Sequence, residues 1–154
     1  MLLVDQRAHG ESEGKYLTFG VNERFDCLSW ASYAAERFGN DVKIYLYGIS
    51  MGASTVLMAS ALPLPKSVSG IVADCGYTSP KAIICSVLRD HHVPAAPVYA
   101  VAKLGARLFC GFDLDSASAP DALRRSHIPV LFIHGTDDRF VPFDMSLENY
   151  RRCR

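Results

Sequence analysis

The feature that most restricts this chain is a serine held between two glycines, Gly48-Ile49-Ser50-Met51-Gly52, where one apolar run ends and another begins. Ahead of it, Val42 to Tyr47 is apolar or aromatic at almost every position and rich in β-branched residues and tyrosine. That pattern predicts a strand covered on both faces. Behind it, Met51 to Leu62 reads as a helix stopped by Pro63 and Pro65. A chain that passes from strand to helix within so few residues must reverse abruptly. Side chains two residues either side of the serine would then collide, and Gly48 and Gly52 remove them. The spacing therefore predicts a sparsely populated backbone at Ser50, with φ > 0. It also predicts a hydroxyl raised above the C-terminal edge of the sheet, and a Met51 amide pointing out of the helix N-terminus.

The rest of the chain supplies the sheet. Leu2 to Val4 is a short apolar run ended by Asp5, followed by a loop with Gly10 and Gly14. From about Val21 to Phe38, apolar residues recur at spacings of three and four, one face of a helix. Glu23 and Asp26 sit near its start, where the helix dipole favours acids. Gly39 and Asn40 are plausible stops. Val68 to Asp74 and Ile128 to Gly135 read as further buried strands. Between them, Ile83 to Arg89, Val98 to Phe109 and a short stretch from Pro120 to Arg125 are helical, with Pro94 and Pro97 as breaks. A last helix starts near Pro142. Strands alternating with helices predict an α/β parallel sheet. Residues 1–154 form one domain, with 76–127 a helical, cap-like insertion within it.

Composition excludes several classes. Lys plus Arg balances Asp plus Glu at 16 each, so there is no electrostatic case for a nucleic-acid partner. No apolar run approaches the roughly 20 residues of a membrane span. The five cysteines, Cys27, Cys75, Cys85, Cys110 and Cys153, are odd in number, widely spaced and without a CxxC pair. Neither a disulfide framework nor a metal site is expected, and reduced thiols point to a cytoplasmic location. The basic run Arg151 to Arg154 reads as a solvated helix face.

A serine on such a turn has a chemical use if a base removes its proton and an acid orients the base. The segment "FIHGTDDRFVP", Phe132 to Pro142, brings acids to the loop beyond a buried strand. Asp137 and Asp138 compete there, and Asp74, closing the preceding strand, is a third candidate.

Three segments together, "VDQRAHGESEGKYLTFG", "LYGISMGAS" and "FIHGTDDRFVP", resemble the α/β-hydrolase superfamily. They are most similar to the bacterial serine aminopeptidase-like and cell-surface hydrolases. The resemblance implies about four of that fold's eight strands. It makes Ser50 the nucleophile, the Met51 amide part of the oxyanion hole and Gly48 and Gly52 the elbow glycines. It selects Asp138 as the acid, in the pattern closed by Val141 and Pro142. The family's histidine follows the acid, yet His9, His91, His92, His127 and His134 all precede Asp138. The chain thus reads as a fragment that lacks its base, together with the strand that the family places between Leu2–Val4 and Val42–Tyr47. Those two segments are therefore expected not to pair. The implied activity is hydrolysis of carboxylic esters or amides through an acyl-enzyme, on a small-molecule ester or peptide substrate, with no cofactor and no metal. An acyltransferase on the same residues, or a non-catalytic binding protein, is the alternative.

Overall fold

The computed structural model describes residues 1–39 and 41–153. Asn40, expected as a helix stop, and Arg154, the end of the basic run, lie outside the described residues. In chain order the elements are α1 (Glu23–Phe38), β1 (Ile44–Ile49), α2 (Met51–Ala59), β2 (Val68–Asp74), α3 (Pro80–Asp90) and α4 (Ala95–Gly105). A π-helical turn, Ala106–Cys110, extends α4. It is followed by α5 (Ala119–Leu123), β3 (Val130–Ile133) and α6 (Phe143–Arg152). The three strands are parallel and lie side by side in chain order, β1-β2-β3.

Local chemistry fixes most of the boundaries. Ser79 and Ser118 cap α3 and α5, accepting from the amides of Ala82 and Asp121, and each of these helices has a proline in its first turn. Pro97 lies inside the first turn of α4 rather than before it, where a missing N–H costs no intrahelical bond. Gly39 closes α1 with φ 90°, its amide bonded to the Ala35 carbonyl.

Two expectations are corrected. Leu2–Val4 forms no strand: the sheet ends at β1, and these residues make no ladder with it. A strand exists only through a partner's hydrogen bonds, and Leu3 is left 80% exposed. The sheet is also not covered on both faces. Leu46, Gly48, Ile71, Ala73 and Phe132 share the face beneath α2. Tyr45, Tyr47, Ile49, Leu131 and Ile133 share the other and are exposed. Because both faces are apolar, the sequence shows no alternation that would mark the open one.

The core lies around α2, buried from Ala53 through Ala59. It packs against β1 and β2 on one side and against α1 and α5 elsewhere. A helix that is apolar all round belongs at the centre of a layer stack. Leu57, Met58, Ile71, Leu123 and Val141 are almost wholly removed from solvent there.

The loop ahead of α1 is fastened to that helix by two acids. Asp26 takes a two-pronged grip on the Arg7 guanidinium, both bonds 2.6 Å long. Glu23, 1% exposed, accepts from the Thr18 amide (2.7 Å), the Thr18 hydroxyl (2.5 Å) and the Gly20 amide (2.8 Å). Both residues read from sequence as helix-dipole acids. Their bonds instead run to the preceding loop.

Candidate active site

β1 delivers Ser50 to the C-terminal edge of the sheet. The Ser50 amide continues the parallel ladder by bonding the Asp74 carbonyl at 2.8 Å. The chain then turns at once into α2, and Ser50 takes φ 51°, ψ −114°. The positive φ is the one that the glycine spacing predicts. The two glycines prove unequal. A Cβ on Gly48 would collide with the carbonyl group of Gly52, whereas one on Gly52 would find only Gln6 Nε2, at 3.9 Å. Gly48 is therefore the residue that lets strand and helix meet. The amides of the first turn of α2, beginning with Met51, have no intrahelical acceptor and face the same edge as Ser50.

A second sharp turn lies beside the first. Cys75 follows β2 with φ 48°, and its amide bonds the Ile133 carbonyl at 2.8 Å. Burial pushes the Cys75 thiol up, the Ser50 amide opposes this, and the charges of Asp74 and Asp138 add to it. The next residue, Gly76, packs against α2: a Cβ there would lie 3.0 Å from that of Ala53. Ser54, fully buried, joins the two turns. Its hydroxyl accepts from the Tyr77 amide at 2.8 Å and donates to the Tyr77 carbonyl at 3.0 Å. Ser54→Ala leaves that buried amide unpaired, and a loss of about 1–3 kcal/mol is expected in urea unfolding. No sequence motif marks Cys75 or Gly76 as part of the site, and Ser54, the last residue of "LYGISMGAS", carries no sign there of its bonds to Tyr77. Their roles follow from the parallel register that sets β2 beside β1.

The three candidate acids separate. Asp138 lies in the loop after β3, and its Oδ1 accepts from the amides of Phe140 (2.9 Å) and Val141 (3.0 Å). The Val141 bond is the main reason its carboxyl is held below the usual range; partial burial opposes, and the Phe140 amide and His134 assist. Any stability this carboxylate supplies is present above the ordinary carboxylate pKa and is lost as pH falls through the lowered one. Asp74 is on the open face of the sheet, where the Tyr47 hydroxyl approaches it at 3.5 Å. Asp137 is exposed.

His134 is structural. Its ring nitrogens meet the Ser146 hydroxyl (2.5 Å) and the Val141 carbonyl (2.9 Å), and Nε2 lies 3.5 Å from Asp138. His9 bonds the Arg7 carbonyl, and His91 and His92 are exposed at the end of α3. No hydrogen bond joins a histidine to Ser50 among the described residues. Among those residues there is also no cluster of metal-ligating side chains, and no helix long and apolar enough to cross a membrane.

No family model matches the chain. It is 27% identical over its whole length to the uncharacterized protein YqkD of Bacillus subtilis (strain 168), covering 51% of that protein. Among solved structures it is similar to the Pyrococcus furiosus esterase Pf2001, with a TM-score of 0.69 and 24% identity over 96% of this chain and 54% of the esterase. It is also similar to a lipase-esterase related protein from Clostridium acetobutylicum, with a TM-score of 0.65 and 18% identity over 97% of this chain and 69% of that protein. The chain spans about half the length of YqkD and of the Pyrococcus esterase. These likenesses show that its fold is that of the α/β-hydrolases.

Proposed function

We propose that this chain is the central portion of a serine hydrolase that cleaves carboxylic esters or amides through an acyl-enzyme. The observation that carries the reading is the Ser50 turn: a serine at positive φ, at the C-terminal edge of a parallel sheet, on the first turn of a buried helix. The esterase and lipase-esterase names of its structural neighbours support it.

In this reading the Ser50 hydroxyl attacks the substrate carbonyl carbon. An imidazole takes the proton and later returns it to the leaving group. The negative charge that develops on the carbonyl oxygen is met by the Met51 amide at the helix N-terminus. Asp138, held ionised by two backbone amides, orients the imidazole and stabilises its charged form. Water then releases the acid and restores Ser50. Within residues 76–127, α3 and α4 act as a cap over this edge, while α5 packs in the core against α2. The reading calls for an imidazole that reaches Ser50, and among the described residues no histidine is bonded to it.

A fluorophosphonate probe applied to the protein as encoded tests this. Labelling should occur and be absent in Ser50→Ala, and ester turnover should fall by roughly a thousandfold or more. Asp138→Asn should lose turnover while keeping its fold, and Asp137→Asn should keep both. Labelling that survives Ser50→Ala removes the nucleophile assignment. Ser50-dependent turnover by residues 1–154 alone would instead make His91 or His92 the base.

A further inference from the structure

His134 directly follows β3 and opens the loop that carries Asp138. The proposed chemistry does not use it, yet its side chain is only 2% exposed and both ring nitrogens are engaged. Their protons can be assigned from the partners. Around Nε2 lie the Val141 carbonyl at 2.9 Å and Asp138 Oδ2 at 3.5 Å. A carbonyl and a carboxylate only accept, so Nε2 carries a proton. The nearer carbonyl takes it in the shorter bond, and Oδ2 is left without a short hydrogen bond from this ring.

Val141 is consequently held from both ends. Its amide donates to Asp138 Oδ1 at 3.0 Å, and its carbonyl accepts from His134. Its side chain, 1% exposed, is fixed in the core. The acid and the histidine thus grip one residue. Oδ1 is committed to the amides of Phe140 and Val141, while Oδ2 stays available.

The other nitrogen sets the orientation of the ring. Nδ1 meets the hydroxyl of Ser146, a residue of α6 that is 4% exposed. Ser146 Oγ also lies 3.4 Å from the Gly76 carbonyl, to which buried Asn149 donates from the same helix. The ring is therefore braced against the turn that follows β2, and Ser54 joins that turn to the one carrying Ser50.

We propose that His134 is a positioning residue for the acid: by donating to the Val141 carbonyl it locks the residue that holds Asp138 Oδ1 and leaves Oδ2 open to the catalytic imidazole. The proposal rests on the serine-hydrolase reading of Ser50 and Asp138.

Two replacements separate the two ring nitrogens. A glutamine amide reaches the place of Nε2 and keeps a donor for Val141, whereas an asparagine amide reaches only the place of Nδ1. In the protein as encoded, His134→Asn should lower kcat for p-nitrophenyl acetate by about tenfold or more and leave KM nearly unchanged. His134→Gln should keep kcat within about threefold of the parent. A histidine that served stability alone would make both variants lose activity in step with their urea midpoints. A second measurement leaves Ser50 out. The Asp138 carboxyl lies below the usual range chiefly through the Val141 amide. Followed by NMR of its carboxyl carbon, it should titrate higher in His134→Asn and stay low in His134→Gln. The proposal is overturned if both variants lose kcat equally, or if Asp138 titrates in His134→Asn as it does in the parent. Should the asparagine variant fail to fold, nitrogen NMR of the His134 ring in the parent decides: a proton on Nε2 supports the proposal and a bare Nε2 overturns it. If fluorophosphonate labelling of Ser50 fails while the Asp138 titration behaves as expected, the hydrolase reading falls and the hold of His134 on Asp138 stands.

Discussion

Gly48→Ala is expected to cost about 3–5 kcal/mol, a large share of a domain stability of the usual 5–15 kcal/mol, and to move the unfolding midpoint to much lower urea. The added methyl group would occupy the place of the Gly52 carbonyl, which is backbone of a buried helix and has no rotamer to retreat into. To admit it, α2 must move away from β1, and the contacts of Leu57 and Ala53 with the sheet open with it. Gly52→Ala is the control. Its Cβ has 3.9 Å of clearance, and alanine exceeds glycine in helix propensity by about 1 kcal/mol, so this variant should unfold at equal or higher denaturant. Far-UV circular dichroism in urea distinguishes the two. Equal stability of both variants would show that the motif's first glycine is not held by sterics.

Glu23→Ala is the second large effect. The side chain is 1% exposed and accepts from two backbone amides and one hydroxyl of the Thr18–Gly20 turn. Removing it leaves those donors buried without an acceptor, an expected loss of about 3–5 kcal/mol, the scale of one to two bonds to a charged acceptor at about 1.5–3 kcal/mol each once water reaches part of the set. Glu23→Gln keeps an acceptor oxygen for part of the set and should lose markedly less. Beyond stability, the alanine variant should free the 5–20 loop, which hydrogen–deuterium exchange at the Gly20 and Asn22 amides would register. Exchange there no faster than in the parent would show that the loop is held by the Arg7–Asp26 pair alone.

The parts of the fold legible in the sequence are those in which a residue type answers to a local constraint. A strand, a serine between glycines and a helix follow one another because a tight reversal admits few side chains, and Ser50 has the positive φ this requires. The residue types alone leave Asp74, Asp137 and Asp138 open, and only the resemblance singles out Asp138; the two following amides that bond it are seen in the structure. What the sequence hides is set by pairing across the chain. Glu23 looks like any acid at a helix start, and its bonds to the preceding loop carry no periodic signature. Cys75 and Ser54 enter the site only because β2 lies in register beside β1. Tyr45, Tyr47 and Leu131 have the composition of buried strand residues, yet their face of the sheet is open. Leu2–Val4 has strand composition and no ladder, because composition cannot supply a neighbour.

The order of the strands also bears on how the sheet assembles. Each strand lies beside the next in sequence, so two closures of the chain bring the described strands together. The first joins β1 to β2 across one short helix and aligns Ile44 with Val68. The second joins β2 to β3 across α3, α4 and α5, aligning Ile71 with Val130, and spans more than twice as much chain. Closing the longer loop costs about 0.8 kcal/mol more in chain entropy. The cheaper closure is the one that makes the Ser50 turn, so the turn depends on contacts between near neighbours in sequence. The loop that carries Asp138 is brought to the sheet by the costlier closure.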